Sequence, residues 1–254
     1  LIVVNDGSED GTEDILRNFA QEEIRVIYHQ QNCGYGSSIK SGIRAAQFSF
    51  VGITDADGTY PNDRFLEFFQ EMQNNEIDMI VGARTGDNVN IPWVRKPAKW
   101  VLSQLANYLT DKKIPDLNSG FRIFKIGVIN QFLKILPDGF SLTSTITLAM
   151  LTNGYSVKYN SIDYYRRKGR SKIRPIYDTL NFLQLILRTV MYFNPLKIFI
   201  PLSLLLTICA ALVAGFSYYF LGTMMDVTFG IFIMSAVFVL AIGMLADLID
   251  KRMK

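Results

Sequence analysis

The sequence predicts an α/β domain, a mostly parallel sheet flanked by helices, followed by two transmembrane helices. Three observations carry this expectation. Apolar, strand-like runs alternate with helical patterns through residues 1–60, the punctuation of a βαβαβ unit. Charged residues are frequent in the first two thirds of the 254-residue chain, yet its mean hydropathy is positive, which suggests two solvents. Residues 198–225 and 227–246 carry no charge, and each stretch reaches the roughly 20 residues that a bilayer-spanning helix needs. The chain therefore divides into a soluble domain over 1–175, a membrane-proximal segment over 176–195, and a two-helix anchor with a short tail over 196–254.

The elements follow in order. Residues 1–4, Leu-Ile-Val-Val, form a strand that opens with neither leader nor initiator methionine, so an earlier strand is expected before it. Asn5-Asp6-Gly7-Ser8 then makes a strand-to-helix turn, with Thr12 as N-cap and Glu13 and Asp14 in the first helical turn, where the dipole favours acids. Asp6 has two readings: ordinary turn chemistry, or a carboxylate that accepts hydrogen bonds from a nucleobase or ribose. A helix over 13–21 and a strand over 25–28 lead to Asn32-Cys33-Gly34-Tyr35-Gly36-Ser37-Ser38-Ile39-Lys40. This glycine-rich turn opens a helix and can bring its amides close to a phosphate or base, but it has neither Walker nor dinucleotide-fold spacing.

The strand over 48–54 ends directly in Asp55-Ala56-Asp57, and a helix begins near Asn62. Two like charges at a strand terminus repel, and a divalent cation removes the conflict. Mg²⁺ or Mn²⁺ takes one or two carboxylates together with phosphate oxygens and water, which suits a short turn. The competing reading is a solvated acidic turn. Ligands of parallel sheets bind beyond the carboxyl ends of the strands, where this pair lies.

Charge and composition exclude other classes. A net charge of +3, without interleaved basic and aromatic residues, argues against nucleic acid. Cys33 and Cys209 are far apart and one lies in a predicted span, so no disulfide framework or zinc site is supported. His29 is the only histidine, which excludes a multi-histidine metal centre. Arg188 and Lys197 precede the first span and Lys251, Arg252 and Lys254 follow the second, so both ends should face the cytoplasm. Arg166, Arg167, Lys168, Arg170, Lys172 and Arg174 crowd one loop, where anionic headgroups attract each cation by about 1 kcal/mol. The loop anchors the topology, clamps a lipid phosphate, or does both. Residues 176–191 have helical spacing with one polar face, as in an interfacial helix or equally a buried one.

Taken together, Asp6-Gly7-Ser8, Gly34-Tyr35-Gly36, Asp55-Ala56-Asp57, Gly82-Ala83-Arg84, Asp116 with Ser119-Gly120-Phe121-Arg122, Gly169-Arg170-Ser171-Lys172 and the paired spans resemble glycosyltransferase family 2 of GT-A fold, in particular its polyprenyl-phosphate sugar synthases. The resemblance implies a nucleotide-sugar donor site at Asp6, Gly7, Ser8, Gly34, Asp55 and Asp57. It places the metal, Mg²⁺ or Mn²⁺, on Asp57 with Asp55 beside it. Ser119 and Arg122 would meet an acceptor phosphate, joined by Arg166, Arg170 and Lys172 of the basic loop, and Asp57, Asp116 and Arg122 would be the catalytic residues. Thr59 stands where synthases of the dolichol type often have a metal-contacting glutamine. The implied reaction is a single displacement with inversion, in which an already ionised phosphate needs no strong base. Two alternatives stay open: a glycolipid or polysaccharide hydroxyl acceptor, with Asp116 as base, and a catalytically silent membrane scaffold. The sequence leaves a homo-oligomer open.

Overall fold

The computed structural model describes residues 1–19, 24–85, 96–139, 141–165, 191, 194–222 and 225–253. The chain falls into two compact units, Leu1–Ile186 and Leu187–Lys254, taken one at a time.

The first unit begins with β1 (Ile2–Asp6), α1 (Thr12–Asn18), β2 (Arg25–His29), α2 (Tyr35–Ala45) and β3 (Phe50–Ile53), the alternation expected. A 3₁₀ turn over Asn62–Arg64 enters α3 (Phe65–Asn74). Then come β4 (Met79–Ala83), α4 (Lys96–Thr110), β5 (Arg122–Lys125), α5 (Ile126–Phe132), α6 (Leu142–Thr152) and β6 (Val157–Ser161). The start of α1 differs in detail from expectation. Gly11, with φ of 79°, is the N-cap and Thr12 is already helical. The Asp10 carboxylate takes the Thr12 hydroxyl at 2.5 Å and its amide at 3.3 Å, because the left-handed backbone at Gly11 turns Thr12 back toward Asp10.

Strand pairing splits between two sheets. β1 and β2 pair in parallel, and a four-stranded sheet has the order β3-β5-β4-β6. In the larger sheet β6 runs parallel to β4, while β5 is antiparallel to both of its neighbours. Three of its strands thus share a direction and β5 is reversed. That reversal builds the site. Arg122, the first residue of β5, lies opposite Ile53, the last of β3, and opposite Val81 near the end of β4. The segment entering β5 is therefore delivered to the carboxyl ends of β3 and β4.

An aromatic core fastens this end of the sheet. Phe121 is fully buried, 4.2 Å from the Phe65 ring and 5.3 Å from Phe68 in an edge contact. Tyr60, Met72, Ile77, Ile80, Ile123 and Ile162 complete the cluster. Each fully buried side chain of this size contributes about 1.5–3 kcal/mol of transfer free energy. Leu1, Phe48, Phe50, Gly52, Phe65 and Phe69 line an open apolar groove along β3.

The second unit holds α7 (Leu196–Phe216), a π turn over Ser217–Leu221, and α8 (Asp226–Met253). Two stretches among the described residues, Leu196–Phe220 and Asp226–Ile249, are long and apolar enough to cross a membrane, and few of their residues are buried. A core helix of a soluble protein with this composition would bury most of that surface. The helices meet along small residues. Ala210 and Ala236 are buried, Gly243 admits the Phe199 side chain, and the Ser203 hydroxyl donates to the Ala236 carbonyl at 2.9 Å. Tyr218, Tyr219 and Phe220 are exposed beside the connector, a composition suited to a bilayer interface. The basic loop over 166–174, the amphipathic segment over 176–190, and with them Arg166, Arg170 and Lys172, lie outside the described residues.

Candidate active site

The β3 strand delivers Asp55 and Asp57 into a turn with Gly58 at φ of 71°. Asp57 is fixed by its own turn, since its Oδ1 accepts the Thr59 hydroxyl at 2.6 Å and the Thr59 amide at 3.2 Å. Thr59, fully buried, thus positions the carboxylate. Asp55 turns elsewhere. Its oxygens lie against Gly120, where a Cβ would sit 2.9 and 3.0 Å from them. Gly120 therefore has to be glycine for Asp55 to reach its place. The Gly120 amide donates to the Tyr60 hydroxyl at 2.8 Å, which fixes this backbone from the other side.

Beside it, Asp116 is 3% exposed and Arg84 grips it with two hydrogen bonds, Nε to Oδ2 at 2.7 Å and Nη2 to Oδ1 at 2.9 Å. The amides of Arg84 and Asn118 add two more at 3.1 Å. The Arg84 guanidinium also lies 5.2 Å from the centre of the Tyr164 ring. Burial opposes its charge, but the hydrogen bonds and charge of Asp116 outweigh burial and hold its pKa above the ordinary value. Ser119 and Arg122 are both fully buried. Arg122 donates to the Ser119 carbonyl through Nε at 3.1 Å and Nη2 at 2.5 Å, and through Nη1 to the Thr143 carbonyl and Thr147 hydroxyl, both at 3.0 Å. Burial lowers its pKa. No carboxylate lies within ion-pair distance of Arg122 among the described residues. The α6 helix supplies these oxygens because residues 143–147 read Thr-Ser-Thr-Ile-Thr and all five are buried. The Ser144 hydroxyl also bonds Asn118.

The carboxyl end of β1 carries Asp6. Its Oδ1 accepts the Cys33 amide at 2.9 Å and faces His29 Nδ1 at 2.7 Å, and its Oδ2 accepts the Gly34 amide at 2.8 Å. Burial raises its pKa, but these donors outweigh it and hold the carboxyl below its ordinary value. On its other side, His29 Nε2 lies 2.9 Å from the Ser41 hydroxyl, within hydrogen-bond distance. Asp6, His29 and Cys33 have potential ligand atoms within 4.8 Å of one another, and hydrogen bonding already engages them. Gly7 has φ of 65°, and a Cβ there would sit 2.6 Å from the Gln31 carbonyl carbon. The Ser8 amide closes the turn on Asn5 Oδ1 at 3.1 Å.

The glycine-rich turn is shaped by protein rather than by an open approach to phosphate. A Cβ on Gly34 would meet the Asp138 carbonyl oxygen at 2.7 Å, and one on Gly36 would strike the Pro137 carbonyl. The Ser37 amide bonds the Asp138 carbonyl at 3.0 Å, and buried Lys40 pairs with the Asp138 carboxylate at 2.8 Å. The structure thus gathers Asp55, Asp116, Ser119 and Arg122 at one end of the larger sheet, with Asp57 on the same turn as Asp55, while Asp6 at the end of β1 is bonded to the Gly34 amide. Tyr35, Tyr60, Arg84 and the Pro137–Asp138 backbone were given no role from sequence. The spacing of Gly34 and Gly36 was the available signal of a close backbone contact.

Residues 1–133 match the model of Glycosyl transferase family 2, more than half of the chain. The chain belongs to that family. This family 2 glycosyltransferase is 29% identical over 175 residues to a dolichyl-phosphate hexose transferase of Haloferax volcanii, covering 68% of this chain and 74% of that protein. It is 26% identical to a dodecaprenyl-phosphate galacturonate synthase of Rhizobium johnstonii, covering 54% of this chain but 41% of that protein. Among solved structures, glucosyl-3-phosphoglycerate synthase from Mycobacterium tuberculosis with UDP superposes at a TM-score of 0.57 with 18% identity, over 75% of this chain and 68% of that one. The same enzyme with Mg²⁺ and UDP gives the same score and identity over the same shares of both chains. These neighbours establish the GT-A fold.

Proposed function

We propose that this glycosyltransferase moves a hexose from a UDP- or GDP-linked donor to a polyprenyl phosphate, with inversion at the sugar carbon, from the cytoplasmic face of a membrane that α7 and α8 span. The observation that carries the choice of acceptor is the Arg84 grip on Asp116. A hydroxyl acceptor needs a carboxylate to take its proton, and the candidate for that task is buried, four times hydrogen-bonded and charge-paired. A phosphate acceptor arrives ionised and makes no such demand. The names of the Haloferax and Rhizobium relatives support the same class of acceptor.

The donor set fits Mg²⁺ or Mn²⁺, since Asp57 offers hard carboxylate oxygen from a turn already fixed by Thr59. Asp57 would hold the ion and Asp55 would stand beside it. When bound, the cation supplies Lewis-acid stabilisation of the departing diphosphate. Asp6, Gly7, Ser8 and Gly34 form the nucleoside end of the site. Arg122 acts from beneath Ser119 through its field, while Arg166, Arg170 and Lys172 supply the cations that meet the lipid phosphate.

The test uses membranes carrying the protein, labelled UDP- and GDP-sugars, Mn²⁺, and undecaprenyl or dolichyl phosphate. An organic-extractable, acid-labile product of inverted configuration is expected, and Asp57→Ala should abolish it. A product with the donor's configuration, or transfer to hydroxyl acceptors alone, refutes the mechanism. Failure to bind any nucleotide-sugar with Mn²⁺ favours a silent scaffold.

A further inference from the structure

We infer that Asp6, His29 and Cys33 form a site for Zn²⁺, with ligands distinct from those of the proposed Mg²⁺ or Mn²⁺ position at Asp57, and that an ion held there closes the nucleoside end of the donor site. The site itself stands on geometry, and its closing effect rests on the donor-site reading above. One potential ligand atom from each of the three residues lies within 4.8 Å of the other two. Strand tips bring them together: Asp6 and His29 are the paired last residues of β1 and β2, and Cys33 stands in the loop that leaves β2. No local spacing announces this, since Asp6 and Cys33 are 27 positions apart.

The donor set is a carboxylate oxygen, an imidazole nitrogen and a thiolate sulfur, a mixture that Zn²⁺ accepts and that Mg²⁺ and Mn²⁺, which prefer oxygen, do not favour. The main chain holds the three side chains in place before any ion arrives. The Cys33 and Gly34 amides donate to the two Asp6 oxygens at 2.9 and 2.8 Å, and a Cβ on Gly7 would sit 2.6 Å from the Gln31 carbonyl carbon, so the two loops are locked together. A carboxylate has lone pairs enough to keep both amides and still take an ion. The ion enters between Asp6 Oδ1 and His29 Nδ1, now 2.7 Å apart, and draws the thiolate from the Gln31 carbonyl, which the thiol otherwise meets at 3.3 Å. Bonds of about 2.0–2.1 Å at tetrahedral angles set oxygen and nitrogen ligands about 3.3 Å apart, so the pair opens by a few tenths of an ångström while the sulfur closes in. With Nδ1 on the metal, Nε2 carries the ring proton and donates to the Ser41 hydroxyl 2.9 Å away, the outer bond that orients a ligating histidine. The His29 and Asp6 side chains are only 13% and 18% exposed while Cys33 is exposed, so the ion arrives on the cysteine side, where water completes four-coordination.

The experiment uses the full chain in detergent on a Cys209→Ala background, so that Cys33 is the only thiol, with Co²⁺ as the coloured probe and Zn²⁺ as its competitor. A thiolate-to-cobalt charge-transfer band that saturates at one ion per chain, and that Zn²⁺ abolishes, is expected. Cys33→Ser should remove the band and weaken Zn²⁺ binding about 10- to 100-fold, His29→Gln should weaken it as much, and Ser41→Ala should cost about tenfold. Without Zn²⁺, Cys33→Ser should bind UDP or GDP with Mn²⁺ within about twofold of its parent, because Asp6 takes the backbone amide of that residue. At free Zn²⁺ about ten times its Kd, competition should raise the nucleotide Kd about tenfold in the parent and at most about twofold in Cys33→Ser. Absence of the cobalt band, or a Cys33→Ser protein that binds Zn²⁺ as tightly as its parent, overturns the inference. If the band forms while nucleotide binding ignores Zn²⁺, the closing effect is refuted and the metal site stands. If the parent binds neither UDP nor GDP, the donor-site reading fails, and the cobalt band alone still decides whether the site exists.

Discussion

Replacing Asp116 with asparagine separates its two candidate roles, base and ion-pair partner. The substitution keeps the volume but removes the charge, and it points an amide donor at the donors of Arg84. Arg84 is 23% exposed at its side chain and Asp116 is 3% exposed, so water compensates little. Breaking a buried pair on one side costs about 3–5 kcal/mol. At about 2–4 °C per kcal/mol for a domain of this size, the melting temperature should fall by about 6–20 °C. Activity is then measured well below the new midpoint and expressed per folded molecule. If the acceptor is a phosphate, transfer per folded molecule should stay within about tenfold of wild type, because no proton is removed by a base. Loss of a general base would instead cost about 10²–10⁴ in rate. A loss of that size in fully folded protein, with the melting temperature unmoved, refutes the reasoning and revives the hydroxyl acceptor.

Three other substitutions follow from the same geometry. Gly120→Ala places a methyl group 2.9 Å from Asp55 Oδ1, so the carboxylate must yield; Mn²⁺-dependent transfer should fall about tenfold or more, with a stability loss of about 1–3 kcal/mol by melting. Gly36→Ala drives a methyl into the Pro137–Asp138 backbone, with the Asp138 carbonyl carbon 2.7 Å away, and should lower the melting temperature by about 2–12 °C. Asp6 has a lowered folded pKa, so its contribution to stability is complete above about pH 4 and is lost as pH falls through that lowered value. Melting curves between pH 3 and 6 should therefore show an acid-side fall that Asp6→Asn flattens; an unaltered slope would remove Asp6 from the account.

The sequence made some of this legible for local reasons. An apolar run ending in Asp55-Ala56-Asp57 announces a strand with carboxylates at its tip, and the strand ends there, at Ile53. Uncharged stretches announce long apolar helices, and these are present over Leu196–Phe220 and Asp226–Ile249. The partners were not legible, because they are set by topology. Lys40 meets Asp138 across 98 positions, and Arg84 meets Asp116 only because an antiparallel β5 brings its entering loop to the end of β4. The glycine-rich turn suggested an open phosphate cradle, yet Gly34 and Gly36 are explained by carbonyls of the Pro137–Asp138 backbone, which no local pattern connects to them.

The two arginines of the site show how the same residue type can serve opposite ends. Arg84 is neutralised by Asp116, so the pair contributes rigidity and little net field. Arg122 is more deeply buried than Arg84, and its partners are neutral oxygens of Ser119, Thr143 and Thr147. Removing a guanidinium from water without a counter-charge is costly, and a polar cage of carbonyls and hydroxyls offsets only part of that cost. The surplus positive potential lies beside Ser119, next to the Gly120 backbone that the Asp55 carboxylate lies against. An enzyme whose donor and acceptor both carry phosphate gains from such a floor, since the field acts on anions as they assemble without requiring direct contact. Arg122→Met should accordingly weaken both nucleotide and lipid-phosphate binding more at low salt than at high salt, whereas a purely structural arginine would produce a loss insensitive to ionic strength.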